Sequence, residues 1–281
     1  MQIVSVKHDD KNAARLFTDS LKKTGFGVLE THPISWQLIE DVYKEWREFL
    51  KSGRADRYQY DKKTQEGYFP IDVSEVAKGE IHKDLKHYFH LYFPWGIYPD
   101  EVSDSAKKLF DQIFDLGKTL LQWIDNNISS EVAKKLSVPF TEALSYERTL
   151  LRILHYPAIK GDEEEGAIRA AAHEDINLIT LLPVASSPGL EVYSHNEDKW
   201  YEVPCKPQSI IVNIGDMMQE MTEHEYIATK HRVVKPKGEK QGIDRMSIPC
   251  FMHAKKDVYL SEKYPTAESF LNERLLELGV K

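Results

Sequence analysis

Apolar positions in the first half of the chain recur at intervals of three and four, the spacing of a helix with one buried face. Leu16, Phe17 and Leu21 form such a stripe and predict a helix over 10–24, with Asp10 as N-cap and Gly25 just past its last turn. A short strand, Gly27-Val28-Leu29, follows. Leu38, Ile39, Val42, Trp46 and Phe49 place a second helix over 35–51, capped by Ser35. Leu109, Ile113, Leu116, Leu120 and Ile124 place a third over 104–127. Between them, 52–100 is rich in Tyr, Phe, Gly and Pro and reads as loops with short strands. Near Thr149 the period changes. Short β-type runs alternate with turn residues at 149–156, 176–182, 189–194, 200–203, 208–214, 231–235 and 245–252, as in a sandwich or barrel. A last helix, about 266–279, carries Phe270, Leu271, Leu275 and Leu278.

Composition narrows the class. The chain has 281 residues with 41% apolar and 29% charged side chains, as in a soluble globular protein and unlike a disordered or collagen-like one. At this length one large core suffices, so a single domain over 1–281 is expected: a largely helical part, 1–148, a β core, 149–260, and a C-terminal helix, 261–281. The net charge of −8 argues against a nucleic-acid partner, because phosphate binding requires concentrated Lys and Arg. Cys205 and Cys250 form no CxxC pair, so reduced, buried thiols are expected rather than a zinc ribbon or disulfide scaffold. Neither a secretory h-region nor a membrane-length apolar stretch is present, and the expected location is the cytoplasm. The acidic run Asp162-Glu163-Glu164-Glu165, set between Gly161 and Gly166, reads as a solvated hairpin tip.

Candidate chemistry gathers in the second half. His173 and Asp175 are spaced i, i+2, which on a strand puts both side chains on one face, and His231 opens another β run 56 positions after Asp175. Two imidazoles and a carboxylate on one side of a metal leave the other side open, the ligand set of a non-haem Fe(II) oxygenase. His-x-Asp alone says little: His8-x-Asp10 is a decoy near the terminus and His195-x-Glu197 a near-decoy in a turn. Context separates His173, because an apolar β run follows it. Arg245 and Ser247, again i, i+2, offer a bidentate fork and a hydroxyl for a carboxylate. Triad and anchor together describe a site for a keto acid that chelates iron at one end and meets Arg245 at the other.

Along most of its length the sequence resembles the isopenicillin N synthase-like branch of the 2-oxoglutarate/Fe(II)-dependent dioxygenases. The resemblance is carried by LKKTGFGVLETHPIS (21–35), LRILHYP (151–157), HEDINLITLL (173–182), GLEVY (189–193), KWYEVPCKPQSIIVNIGDMM (199–218), HRVVKP (231–236) and RMSIPCF (245–251). It implies a mainly β fold with flanking helices, built on a double-stranded β-helix, or jelly roll. It implies Fe(II) on His173, Asp175 and His231. Arg245 and Ser247 would hold the distal carboxylate of 2-oxoglutarate, with Tyr156 adding a hydroxyl at or near it. Asn213, Gly215 and Asp216 are expected to shape a turn. The implied reaction consumes O2 and 2-oxoglutarate, releases succinate and CO2 and oxidises a small-molecule substrate, by hydroxylation as the default; ascorbate is an accessory the family admits. Two alternatives stand beside it. One is an isopenicillin N synthase-like oxidase that does without 2-oxoglutarate and turns the Arg and Ser to its own substrate; the other is a non-catalytic jelly-roll binding protein.

The sequence departs from the family at two places. Leu154 stands where plant members carry Asn, which leaves one polar contact to the cosubstrate unaccounted for. Met221-Thr222-Glu223-His224 replaces a Thr-Asn-Gly segment that borders the pocket in many members. The stretch KPKGEKQGID reads as a long hairpin loop. The prime substrate is not legible beyond a small metabolite or amino-acid derivative; Phe251 and Tyr68 are noted as pocket-border candidates with core packing as their commoner role. A monomer or weak dimer is the default assembly.

Overall fold

Period-two alternation along the strands explains how the β core is layered. The computed structural model describes residues 1–73, 84–158, 169–204, 206–234 and 242–277. In the N-terminal part lie β1 (Ser5–Lys7), α1 (Ala13–Thr24), β2 (Phe26–Thr31), α2 (Trp36–Lys51), β3 (Gly67–Phe69), β4 (His87–Tyr92) and α3 (Ser105–Asn127), then the single turns α4 (Ser130–Ala133) and α5 (Phe140–Ala143). The remainder carries β5 (Leu150–Tyr156), β6 (Ala170–His173), β7 (Ile179–Pro183), β8 (Leu190–Ser194), β9 (Lys199–Glu202), β10 (Ile210–Ile214), α6 (Asp216–Met221), β11 (His231–Val233), β12 (Arg245–Ser247), β13 (Cys250–Met252) and α7 (Ala267–Glu277). Among the described residues a nine-stranded sheet runs β1-β2-β10-β7-β13-β5-β4-β3, with β12 also paired to β5. A four-stranded sheet runs β6-β11-β8-β9. Only β1 on β2 is parallel among these pairs. This is the jelly roll with outer helices that the family resemblance implies.

The large sheet buries both faces, for different purposes. On its outer face Ile210, Val212 and Ile214 of β10, Ile179 and Leu181 of β7, and Leu151 and Ile153 of β5 join one large apolar core with α1, α2 and α3. Phe17, Trp46 and Phe110 are fully buried there, and truncating any of them to Ala would cost about 3–5 kcal/mol. The alternate residues point into the sandwich, where two smaller apolar clusters form. Phe26, Val28, Leu182, Val192 and Ile211 make one; Phe69, Tyr88, Leu154, Tyr156, Ala170 and Val233 make the other. The polar residues of the same strands, Arg152, Thr180 and Asn213, line cavities of the sandwich interior. Gly25 ends α1 in the left-handed region (φ 70°), where a Cβ would stand 2.3 Å from the Thr229 hydroxyl. Only glycine lets the chain turn there from α1 straight into β2.

Several expectations shift. Helix α1 starts at Ala13 with Asn12 at its cap position, and Leu16 is 40% exposed rather than part of the buried stripe. The stripe is instead Ala13, Phe17 and Leu21. The run 245–252 is two strands, because Pro249 has no N–H to give the ladder; its carbonyl accepts the Arg152 N–H at 3.0 Å. The N-terminal half supplies β1 to β4 to the large sheet as well as its helices. Tyr68 takes the core role, donating its hydroxyl to the His87 ring at 2.8 Å. Cys250 is a buried free thiol. Cys205, the acidic run 162–165, most of the loop 235–244 and Leu278 lie outside the described residues.

Candidate active site

The largest correction concerns how His173 and Asp175 come together. His173 does not open the strand that holds the following apolar run; it ends β6, in the small sheet, and Asp175 lies in the connection to β7 of the large sheet. Their convergence therefore comes from the chain crossing between sheets, not from one strand face. His231 does open β11 and sits directly opposite His173 in the β6–β11 pairing. Donor atoms of His173, Asp175 and His231 all lie within 4.8 Å of one another. Asp175 Oδ1 is 3.8 Å from His173 Nε2 and 3.7 Å from His231 Nε2.

Hydrogen bonds behind the three residues decide which atoms face inward. His173 Nδ1–H donates to the Ala171 carbonyl at 2.8 Å and His231 Nδ1–H to the Thr229 carbonyl at 3.1 Å. Each ring thereby presents an unprotonated Nε2 to the centre, as a metal requires. Asp175 Oδ2 accepts from the Thr180 hydroxyl at 2.5 Å and from Asn213 Nδ2 at 2.7 Å, leaving Oδ1 for the centre. Burial, together with the neighbouring His231, holds His173 down at about 4, so it stays neutral at physiological pH. For Asp175, burial pushes the carboxyl up, but His231, His173, Asn213 and Thr180 outweigh it and the net direction is down. Two imidazoles with Nε2 turned inward and one ionised carboxylate, each fixed from behind, fit a divalent iron.

Asn213, which the sequence suggests as a turn-shaping residue, lies on β10 and holds Asp175. A signal for this role exists: it shares the inward face of β10 with Ile211, and an asparagine 3% exposed in the middle of a strand needs partners. Gly215 does serve a close approach. A Cβ there would stand 2.2 Å from the Asn177 carbonyl oxygen, in the turn under Asp175.

Beyond the triad, a narrow inner cavity of about 60 Å³ reaches Tyr156, Arg245 and Ser247. Arg245 faces Tyr156 across the β12–β5 pair, and Ser247 faces Leu154. The Arg245 guanidinium lies 5.0 Å from the Tyr156 ring centre. Its Nε donates to the Ser187 carbonyl at 3.0 Å, while Nη1 is buried without a partner among the described residues. A buried, unanswered guanidinium N–H is costly unless an anion arrives. Leu154 lines the same cavity, so the wall where plant members place Asn is apolar here. A second arginine has no motif to announce it in the sequence: Arg169 is fully buried, lies 6.0 Å from the same Tyr156 ring and donates to the Ile243 carbonyl at 2.8 Å. Burial and the charge of Arg245 lower its pKa.

On the other side of the triad an outer cavity of about 480 Å³ opens, lined by Arg152 and Phe251 of the large sheet, by His253 just past β13 and by Leu271 and Leu275 of α7. His173, Asp175, Lys86, Arg152 and Phe251 border both cavities. A narrow polar-ended slot and a wider chamber thus meet at His173 and Asp175, while His231 lines the slot alone.

Comparison with known proteins agrees with this layout. Residues 148–254 match the family model of the 2OG-Fe(II) oxygenase superfamily. Residues 2–112 match the model described as the non-haem dioxygenase in morphine synthesis N-terminal. A candidate oxygenase from Shewanella oneidensis is 44% identical, with a TM-score of 0.88 over the whole of both chains. A proline hydroxylase from Petromyces alliaceus is 29% identical over 261 residues, 85% of this chain and 80% of that one. A Neurospora crassa protein, solved at full length in complex with alpha-KG, shares the fold at 23% identity, with a TM-score of 0.80 over 96% of this chain and 93% of that one. The chain belongs to the 2-oxoglutarate/Fe(II)-dependent oxygenases, in their isopenicillin N synthase-like branch. It is an enzyme of that class, using O2 and 2-oxoglutarate to oxidise a small-molecule substrate with release of succinate and CO2.

Proposed function

We propose that His173, Asp175 and His231 hold Fe(II), that Arg245, Ser247 and Tyr156 receive the distal carboxylate of 2-oxoglutarate, and that the outcome is hydroxylation of a small metabolite. One observation carries the reading: the inward-facing donors at one end of the inner cavity are matched, at its other end, by the buried Nη1 of Arg245, which lacks a partner among the described residues. A keto acid has the same polarity, a chelating end and a carboxylate end. Iron held by the triad would supply the activation of O2, which is the oxidant. The protein's part is positional. Ala171 and Thr229 fix the imidazole tautomers, while Thr180 and Asn213 keep Asp175 ionised and oriented. Phe26, Leu182 and Val233 line the slot and exclude water from it.

The net charge of −8 supports a small molecule over a nucleic acid as substrate. Among the described residues no helix is long and apolar enough to cross a membrane. A cytoplasmic monomer or weak dimer is the setting proposed for the enzyme.

The test is anaerobic titration of the Fe(II) protein with 2-oxoglutarate, followed by visible absorption. A metal-to-ligand charge-transfer band in the wild type, absent from His173→Ala, is expected. No band with iron demonstrably bound would move Arg245 to the service of an oxidase's own substrate.

A further inference from the structure

The outer cavity holds more chemistry than iron needs. At its border with the inner slot stands Arg152, on β5, with its guanidinium 4.6 Å from the ring centre of Tyr88 and 5.1 Å from that of Phe251. Its Nε donates to His90 Nε2 at 2.7 Å, and His90 in turn donates Nδ1–H to the Gln65 carbonyl at 2.6 Å. Two rings and a histidine therefore fix the plane of this fork. Nε uses one of the five guanidinium N–H groups, and the four on the Nη atoms suffice to serve a ligand carboxylate beside other partners. Lys86, beside it, forms a buried pair with Asp84 at 2.7 Å, and Arg148 pairs with Glu268 at 2.5 Å. Strand alternation puts Arg152 on the face of β5 that carries Leu154 and Tyr156, not on the face packed against the helices.

The rest of the chamber is rich in apolar and aromatic side chains. Phe251 flanks the fork, Tyr92 and Trp95 stack at 4.8 Å, and Leu271 and Leu275 close the wall from α7. His253 also lines it, with Nδ1 buried and without a hydrogen-bond partner among the described residues. The wall also carries carboxylates, among them Glu147 and Glu174, so a preorganised guanidinium next to the candidate metal ligands is the place in it for an anionic group, with rings and aliphatic chains beside it for an apolar body.

We infer that the prime substrate is a small carboxylic acid with an apolar or aromatic body, its carboxylate met by Arg152 and its body packed against Phe251 and the Tyr92–Trp95 pair. This rests on the reading that the triad holds iron and the inner slot holds 2-oxoglutarate, since that leaves the outer chamber for the prime substrate. Arg152 is then a specificity-determining residue, distinct from the arginine that holds the cosubstrate.

The experiment uses the full chain loaded anaerobically with Fe(II) and 2-oxoglutarate. Phenylacetate, 3-phenylpropanoate and cinnamate are titrated beside their primary amides, by calorimetry and by the shift of the charge-transfer band. The acids are expected to bind about tenfold or more tighter than the amides, the worth of a charge-assisted pair. Arg152→Met should erase that preference and leave 2-oxoglutarate affinity within about twofold, while Arg152→Lys, which keeps the charge, should retain part of the preference. Equal binding of acids and amides, or no binding of any probe by protein that does bind 2-oxoglutarate, overturns the inference and leaves the proposed function standing. A large loss of 2-oxoglutarate affinity in Arg152→Met also overturns it, because it would give Arg152 to the cosubstrate. Failure of the wild type to bind iron or 2-oxoglutarate would instead strike the proposed function beneath it. The acid–amide comparison in the wild type decides the matter even if Arg152→Met does not fold.

Discussion

The inner slot and the outer chamber meet at His173 and Asp175 but are built differently. Asp175 apart, the slot takes its candidate polar residues from strands at fixed spacings: Tyr156 on β5, His173 on β6, Asn213 on β10, His231 on β11, Arg245 and Ser247 on β12. The chamber takes Arg152 and Phe251 from the sheet, but also Lys86, Trp95, Glu147 and His253 from connecting segments and Leu271 and Leu275 from α7. Strand register fixes a side chain's face and depth, so spacing in the sequence translates into position in space. Loops and a terminal helix carry no such rule. The common chemistry sits where position is strictly encoded, and the substrate's identity sits where it is not.

The sharpest way to break this comparison is at the shared centre. His173→Ala or Asp175→Ala should abolish Fe(II) binding and turnover with the fold intact, because a two-donor remnant lacks the facial set. Metal analysis beside circular dichroism checks both halves. Wild-type iron content in either variant would remove that residue from the site. Arg245→Met comes next, since it takes the charge from the far end of the slot only. The 2-oxoglutarate Kd should rise roughly 10- to 150-fold, matching about 1.5–3 kcal/mol for a lost charge-assisted pair. Acid binding in the outer chamber should hold steady. If both fell together, the two cavities would not be separate compartments.

Asn213→Ala tests the layer behind the proposed metal ligands. It removes one of the two hydrogen bonds on Asp175 Oδ2 without touching the centre. Supporting partners of this kind are worth about 10- to 100-fold in metal affinity. An Fe(II) or Co(II) titration reads the effect, and unchanged affinity would return Asn213 to the turn-shaping role its sequence suggests. Much of the candidate site is legible in the sequence, in that the triad, Arg245, Ser247 and Tyr156 all line the inner slot. The support from Asn213 shows only as an asparagine inside an apolar β run, and the sheet-to-sheet crossing at His173 not at all. Hydrophobic runs show that strands exist, but not which sheet each one joins. The same limit hides the roles of Arg152 and Arg169, one inside LRILHYP and one in the segment just ahead of His173, until pairing places their neighbours.

The opposite face of β5 gives a pH-dependent control away from both cavities. Tyr68 donates to His87 Nδ1, His87 Nε2–H to His155 Nδ1 at 2.6 Å, and His155 Nε2–H to Asp244 Oδ2 at 3.1 Å. With both imidazoles neutral, every nitrogen has one role and every proton one acceptor. Burial, with His155 adding to it, pushes His87 down to about 4, and burial also lowers His155. A folded-state pKa below the unfolded value of about 6.5 means that the unfolded chain binds more protons between those values. Stability is therefore fully present above about pH 6.5 and falls as the pH drops toward 4, by up to about 1.4 kcal/mol per pH unit for each histidine. Urea unfolding of the iron-free protein at about pH 7, 6 and 5 should show the decline; a flat profile would mean that the imidazoles are already charged when folded.

The smallest effect divides the two arginines at the blind end of the slot. Arg245 lines the cavity and offers Nη1, whereas Arg169 lies behind it, held by the Ile243 carbonyl, with its Nε lacking a partner among the described residues. Arg169 therefore acts on the cosubstrate through space, as a second positive charge around Tyr156, and not by a hydrogen bond of its own. Coulomb attraction at an effective protein dielectric near about 20 is worth far less than direct contact, so Arg169→Met should weaken 2-oxoglutarate binding only on the order of threefold. The substitution also removes a charge that burial and the neighbouring Arg245 both disfavour. Thermal stability of the ligand-free protein should accordingly fall less for Arg169→Met than a buried hydrogen-bonded arginine would suggest. Calorimetric titration of 2-oxoglutarate into Arg169→Met and Arg245→Met separates contact from field. Equal losses in the two variants would make Arg169 a second direct ligand, and the slot would then read its anion with a pair of guanidinium groups.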